Sequence, residues 1–262
     1  MEEKMSEEVS DFLKRVAIGA GALAVSERKK LSSDDIASKA TAKDIVTVAD
    51  KRVEEYIVGE IRKAFPDHGV WGEETGVSAP DAVYRWVIDP IDGTSSFAHD
   101  QRYYSVSIAL QKNGETIAGA VYAPRLDELF FADATGAYLN GEPIAASKRS
   151  KLIECILATG FACIRANAVK NNLEYLPRIL PKLRDIRRCG SAALDLCYVG
   201  CGRYDGFWEL DLQLYDVAAG AFIARQAGCV ISDLDGGDHV PENGTVAINR
   251  YIRDEFFEAM HG

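Results

Sequence analysis

The residues best suited to chemistry lie together in Trp86-Val87-Ile88-Asp89-Pro90-Ile91-Asp92-Gly93-Thr94-Ser95-Ser96. An apolar run delivers two carboxylates that straddle a proline, then a glycine and three hydroxyl residues. Asp89 and Asp92 can aim at one locus, and the carbonyl of Ile91 could turn towards the same place. Carboxylates, a carbonyl and water are the ligands that a hard cation such as Mg²⁺ takes. Gly93 permits close backbone approach, and the amides of Gly93, Thr94 and Ser95 form an anion cradle if a helix turn begins there. The plain alternative is a strand-ending turn with solvated aspartates. Phosphate monoesters need up to ~10²¹-fold acceleration, supplied mostly by electrostatics and positioning. A segment that grips a divalent cation and a phosphate together therefore points to a metal-dependent phosphomonoesterase.

Three further acidic elements could complete such a site. Trp71-Gly72-Glu73-Glu74-Thr75-Gly76 places two glutamates where a strand gives way to a loop. Alone this is a solvated turn; beside the aspartate segment it becomes a source of ligands. Asp50 stands among apolar residues in Lys43-Asp44-Ile45-Val46-Thr47-Val48-Ala49-Asp50, at the start of a helix whose dipole already favours an acid. Asp216 opens an alanine-rich helix in Leu214-Tyr215-Asp216-Val217-Ala218-Ala219-Gly220, where by itself it is an N-cap.

Taken in order, Asp-x-Val-Thr-x-x-Asp, Gly-Glu-Glu, Asp-Pro-Ile-Asp-Gly-Thr and aromatic-Asp-Val-Ala-Ala-Gly, these elements resemble the inositol monophosphatase family. The likeness runs from about Asp44 to Gly228, with further landmarks in Gly190-Ser191-Ala192-Ala193-Leu194-Asp195-Leu196 and Phe207-Trp208-Glu209. The resemblance implies two to three Mg²⁺ ions: Glu73, Asp89 and the Ile91 carbonyl for the first, Asp89, Asp92 and Asp216 for the second, and Glu73 again for a third, weaker one. It implies that Thr94, with Asp50 behind it, orients and helps to deprotonate the attacking water. It assigns the phosphate to the amides of Gly93 and Thr94, and the alcohol portion to Gly190, Ser191, Ala192 and Glu209. It also implies in-line attack without a phospho-enzyme, lithium sensitivity, a homodimer, and a layered αβαβα sandwich. Tyr215 replaces the usual Trp, Ser96 a common Asn, and Ala98-His99-Asp100-Gln101-Arg102 the usual His-Gly-x-Pro pattern. None of these removes a proposed ligand.

The substrate that follows is a small phosphorylated polyol or sugar, with inositol 1-phosphate foremost. Fructose 1,6-bisphosphate or an adenosine bisphosphate would need a second cationic pocket, for which Arg165, Lys170, Arg187 and Arg188 are the obvious suppliers. Arg187-Arg188 otherwise reads as a surface pair. An aspartyl-nucleophile phosphatase needs Asp-x-Asp-Gly-Thr, and here two residues separate Asp89 from Asp92. A non-enzymatic regulatory module with the same fold is the remaining alternative, against which stands the presence of every proposed ligand. His99 reads as a local hydrogen-bonding residue. Asp233-Leu234-Asp235-Gly236-Gly237-Asp238 lacks EF-hand spacing and reads as a polar turn.

The elements that must position these residues follow from periodicity. Residues 6–26 and 47–65 predict helices, the first with small residues Gly19 to Ala22 that admit a close neighbour, the second capped by Asp44 or Thr47 and ended by Pro66. Residues 29–43 read as a mobile loop. Strands are expected at 70–71, 84–88, 104–110, 116–122, 128–132 and 137–139, with a hairpin at Asn113-Gly114. After a polar stretch near residue 145 the order alternates: strands at 155–159, 186–189, 206–210, 229–232 and 245–248, helices at 168–176, 192–201, 217–227 and 252–260. The expected fold is α/β (α+β), with an antiparallel first half (1–145) carrying most metal ligands. A more parallel second half (146–262) carries Asp216 and the substrate contacts.

At 262 residues and 47% hydrophobic the chain can bury a large core, and a net charge of −10 argues against a nucleic-acid or membrane-surface partner bound through a basic patch. Six cysteines without a Cys-x-x-Cys pair read as reduced core residues. The start Met1-Glu2-Glu3 lacks the basic opening of a signal peptide, and the longest apolar run, 16–25, is too short to span a bilayer. The expectation is a soluble, cytoplasmic protein.

Overall fold

A computed structural model describes residues 2–30, 36–38 and 45–262, and only the backbone of residues 2–6, 36–38, 45–47 and 165. The chain begins with α1 (Glu2–Arg28), followed by two short paired strands, β1 (Ile36–Ser38) and β2 (Ile45–Thr47), and α2 (Val48–Ala64). Then come β3 (Gly69–Gly72), β4 (Gly76–Ser78), β5 (Tyr84–Asp92), the single-turn helix α3 (Thr94–Ala98), β6 (Ser105–Lys112) and β7 (Glu115–Ala123). β8 (Glu128–Asp133), β9 (Gly136–Leu139) and β10 (Glu142–Pro143) complete one eight-stranded sheet, ordered β10-β9-β8-β7-β6-β5-β3-β4. Every pairing in it is antiparallel except β3 with β5.

The second half supplies β11 (Ile156–Thr159), α4 (Ala162–Arg165), α5 (Leu176–Ile179), β12 (Asp185–Arg187), α6 (Ala192–Gly200) and β13 (Gly206–Glu209). It closes with α7 (Leu214–Gln226), β14 (Cys229–Ser232), β15 (Thr245–Asn249) and α8 (Arg253–His261). Its five-stranded sheet is ordered β12-β11-β13-β15-β14, parallel between β12, β11 and β13 and antiparallel beyond.

Four apolar clusters form the seams of a five-layer αβαβα sandwich. In the first, Phe12, Val16, Val53 and Ile57 of α1 and α2 meet Trp86, Ile88 and Ile108 of the large sheet. The second joins Val87, Val121 and Phe130 of that sheet's other face to Ala193, Leu194, Ala219 and Ile223 of α6 and α7. In the third, α6 and α7 turn Leu196, Val217 and Ala224 to the small sheet, and in the fourth Phe256 and Ile179 cover its far side. The small residues of α7 have a purpose, since the helix lies between two sheets: a Cβ on Gly119 of β7 would stand 3.1 Å from Ala219 Cα. The small residues of α1 act likewise, with Gly19 packed against Tyr56 and Gly21 against Tyr122.

Four expectations are corrected. The helix expected over 168–176 is instead an isolated turn at 172–174 followed by the start of α5, because Asn171 caps a single turn by accepting from Leu173 N and Pro177 and Pro181 restart the chain. β4 was not anticipated. The strand expected to stop at Ile88 continues to Asp92. Within the segment read as a loop, Ile36–Ser38 is a strand; Asp44, one of the two expected caps, lies outside the described residues. All six cysteines are free. No described helix is long and apolar enough to cross a membrane.

Candidate active site

Residues three apart on a regular strand point to opposite faces, so Asp89 and Asp92 need a device to converge. The device is a register shift: Asp89 pairs with Ser107 and Asp92 with Ser105, so three steps on β5 oppose two on β6. Pro90, which cannot donate to a ladder, sits in this bulge, where proline is tolerated and where a side chain can be re-aimed. Asp89 is buried, and its Oδ1 accepts from Ile91 N at 3.0 Å. Asp92 is buried against the start of α6, accepting from Ser191 Oγ at 2.6 Å, Ala193 N at 2.7 Å and Ala192 N at 3.2 Å. Asp216 belongs to the first turn of α7; its Oδ2 accepts from Gln213 N at 2.6 Å, and Gln213 returns the bond as a capping box.

Carboxylate oxygens of Asp89, Asp92 and Asp216 all lie within 4.8 Å of one another. At that separation each pair of charges repels by roughly 3 kcal/mol at an effective dielectric near 20. Burial first, then the charges of Glu73, Asp92, Asp216 and Asp50, push the Asp89 carboxyl well above the usual range. Burial and then Asp92 do the same to Asp216, which is half-buried and lines a cavity. An all-oxygen anionic cluster of this kind fits a hard divalent cation.

The raised carboxyls give a testable sign. Without metal, the folded state holds protons on these acids at pH values where the unfolded chain has lost them, so metal-free stability falls as pH rises above the ordinary carboxylate range. Asp195, also raised by burial, adds to this trend, whereas His68, lowered by burial, opposes it below its ordinary range; Asp133 and Asp233 have lowered pKa values and act in the opposite sense only at lower pH. Thermal melts in a chelator between about pH 5 and 8 should therefore show Tm declining with pH. Above about pH 7, beyond the range in which His68 contributes, a flat or rising Tm would contradict the raised carboxyls.

Glu73 follows β3, its amide donating to Ile88 O of β5 at 3.2 Å. With Asp92 and Asp216 it lines a cavity of about 390 Å³. Gly190, Ala192 and Glu209 line the same cavity, and Glu209 Oε1 accepts from Ala162 N at 2.9 Å. Ser191, between two of these lining residues, is fully buried, with its hydroxyl committed to Asp92. Thr94 starts α3, and its Oγ1 donates to Ile91 O at 3.2 Å. Asp50 is buried in the first turn of α2, close enough for its charge to be felt at Asp89. Gly93 has φ +96°, and a Cβ there would meet Gly190 O and Tyr103 O at 3.1 Å, so the residue joining the acids to α3 must be glycine. The first amides of α3 are not consumed by its own ladder.

Arg187 and Arg188 do not behave as one surface pair. Arg187 pairs with Asp185 at 2.6 Å, two residues back on the same face of β12, whereas Arg188 lines the cavity. Strand alternation was the available signal. Gln213 was also missed, although it stands three residues before Asp216 at capping-box spacing. His99 is exposed, its amide ending α3 on Ser95 O, and Asp233 closes a polar turn by accepting from Asp235 N and Gly237 N.

A five-layer sandwich with converging acids at the ends of a sheet and two helices defines a class of phosphatase, and residues 5–261 match the profile of the inositol monophosphatase family. The chain is 39% identical over 220 residues to the inositol-1-monophosphatase of Mesorhizobium japonicum, covering 83% of each. It is 40% identical over 239 residues to the Nus factor SuhB of Pseudomonas aeruginosa, covering 88% of each. The crystal structure of extragenic suppressor protein suhB from Bartonella henselae superposes with a TM-score of 0.89 at 35% identity, over 97% of this chain and 98% of that one. The chain belongs to the inositol monophosphatase family and is a phosphoric monoester hydrolase.

Proposed function

We propose that this enzyme hydrolyses a small phosphate monoester with Mg²⁺, inositol 1-phosphate foremost, by in-line attack of water. The observation that carries the reading is the convergence of Asp89, Asp92 and Asp216, the last two lining a cavity that Gly190, Ala192 and Glu209 also line. Glu73, Asp89, Asp92, Asp216 and the Ile91 carbonyl would hold the metal. Bound Mg²⁺ would supply Lewis-acid stabilisation of charge on the phosphoryl oxygens. The chain's own groups do the rest. Amides of Gly93 and Thr94 hold the phosphate, and the Thr94 hydroxyl, backed by Asp50, orients the water and takes its proton. Gly190, Ala192 and Glu209 receive the alcohol, Glu209 as acceptor for its hydroxyls, while Ser191 contributes by holding Asp92. The two halves, 1–145 and 146–262, act as two units that each supply ligands. A homodimer in the cytoplasm, inhibited by lithium, completes the proposal.

The test is phosphate release from a panel of small monoesters with and without Mg²⁺ and Li⁺. Release that ignores Mg²⁺, or none from any monoester, would overturn it. The Pseudomonas aeruginosa relative is named a Nus factor, a role other than hydrolysis; the clustered carboxylates of Asp89, Asp92 and Asp216 support hydrolysis here.

A bisphosphate substrate is disfavoured by the supply of cations. Of the four candidates, Arg188 lines the cavity, Arg187 is paired, Lys170 is exposed on a loop, and the Arg165 side chain lies outside the described residues. An exposed Arg188 meeting a second phosphate is worth no more than about 1 kcal/mol, or about fivefold. Arg188→Gln should therefore lower kcat/KM for fructose 1,6-bisphosphate by about that factor and leave inositol 1-phosphate nearly unchanged. A loss of several hundredfold on the bisphosphate would reverse the ranking.

A further inference from the structure

Glu54 takes no part in the site described so far, yet it is fully buried. It lies four residues after Asp50 on α2, hence on the same helical face. Its carboxylate accepts from Glu74 N at 2.9 Å through Oε2 and from Thr75 N at 2.7 Å through Oε1. These amides belong to the tip of the β3–β4 hairpin, whose closing pair is Gly72 and Gly76. Gly72 makes room for the contact: a Cβ there would stand 2.3 Å from Glu54 Oε1.

The hairpin tip is thus gripped from two sides. Glu73 N donates forward to Ile88 O, one residue before Asp89. The next two amides donate backward to Glu54. Bonds of an amide to a carboxylate are the strong kind, and burial removes competition from water. Between the two grips only the Glu73 side chain is left to face the cavity.

We propose that Glu54 is a positioning residue that fixes Glu73 in register with Asp89, and so sets the enzyme's affinity for its divalent cation. The inference rests on the reading of Glu73 as a ligand. Glu54→Gln preserves shape but turns one acceptor oxygen into a donor that faces a backbone N–H. Removing a partner that orients a ligand typically costs ~10- to 100-fold in metal affinity.

The experiment is calorimetric titration of the metal-free protein with Mg²⁺ for wild type, Glu54→Gln, Glu73→Gln and the double variant, each checked by its melting curve in chelator. The expected result is Mg²⁺ binding weakened ~10- to 100-fold by Glu54→Gln alone, with no further loss when it is added to Glu73→Gln, because Glu54 acts only through Glu73. Wild-type affinity in Glu54→Gln, with Glu73→Gln weakened, would overturn the positioning role and leave the ligand set standing. An equal loss from Glu54→Gln in both backgrounds would make Glu54 a general structural residue and overturn it too. Unchanged binding in Glu73→Gln would sink the ligand assignment itself. Should Glu54→Gln not fold, Glu54→Asp, which keeps the charge but withdraws it by one methylene, carries the same cycle with the same outcomes.

Discussion

Asp92→Asn is expected to lower Mg²⁺-dependent phosphate release from inositol 1-phosphate by about 10³-fold or more, while the protein stays folded. Loss of one anionic ligand removes several kcal/mol of transition-state charge stabilisation, at 1.36 kcal/mol per factor of ten. The effect on stability is smaller because two changes oppose each other. Repulsion with Asp89 and Asp216 is relieved. Against that, Ser191 Oγ, Ala192 N and Ala193 N lose a charged acceptor, and an asparagine amide turns a donor towards one of them. The net is expected to be within about 2 kcal/mol, a shift in Tm of several degrees at most. The separating measurement is the melt with and without Mg²⁺: wild type gains stability from the ion and the variant does not. Unchanged turnover, or an equal Mg²⁺-induced gain in Tm, would remove Asp92 from the site.

The two aspartates of β5 were legible because one short segment holds both, with proline, glycine and threonine alongside. What the sequence did not reveal was the bulge, a property of β5 and β6 together that no local pattern records. Asp216 lies far along the chain from Asp89, and only family resemblance joined the two. Its own surroundings read as an ordinary cap, and it is one: it caps α7 and meets the cluster at once. Glu54 was invisible for a different reason. Beside Glu55 on an amphipathic helix it looks like an exposed acid, and only the glycine at Gly72 hints that something must approach there. The layers were readable because helical and strand periods change where the sheets begin. The stretch 168–176 was misread because its apolar residues feed single turns, leaving Val169 almost wholly exposed.

The second large effect concerns proton transfer. Thr94→Ala is expected to reduce kcat by ~10²–10⁴-fold, the usual contribution of a positioned proton acceptor, with KM changed only a few-fold. Its hydroxyl donates to Ile91 O at 3.2 Å, long for a bond between oxygens, so little opposes its turning elsewhere. A hydroxyl carries one proton and two lone pairs. To accept from water it must pass its own proton on, and on the proposed reading the acid that takes it is Asp50, buried at the start of α2, while α3 packs on the adjoining β2. Thr94→Ser keeps the hydroxyl and should retain most activity; Thr94→Val keeps the shape and should not. Asp50→Asn should cost as much as Thr94→Val, and the two together no more than either, since a relay loses its function when one member goes. Multiplying losses in the double variant would show independent roles. Near-wild-type kcat in Thr94→Val would leave Thr94 as backbone support for the turn, with the proton taken elsewhere.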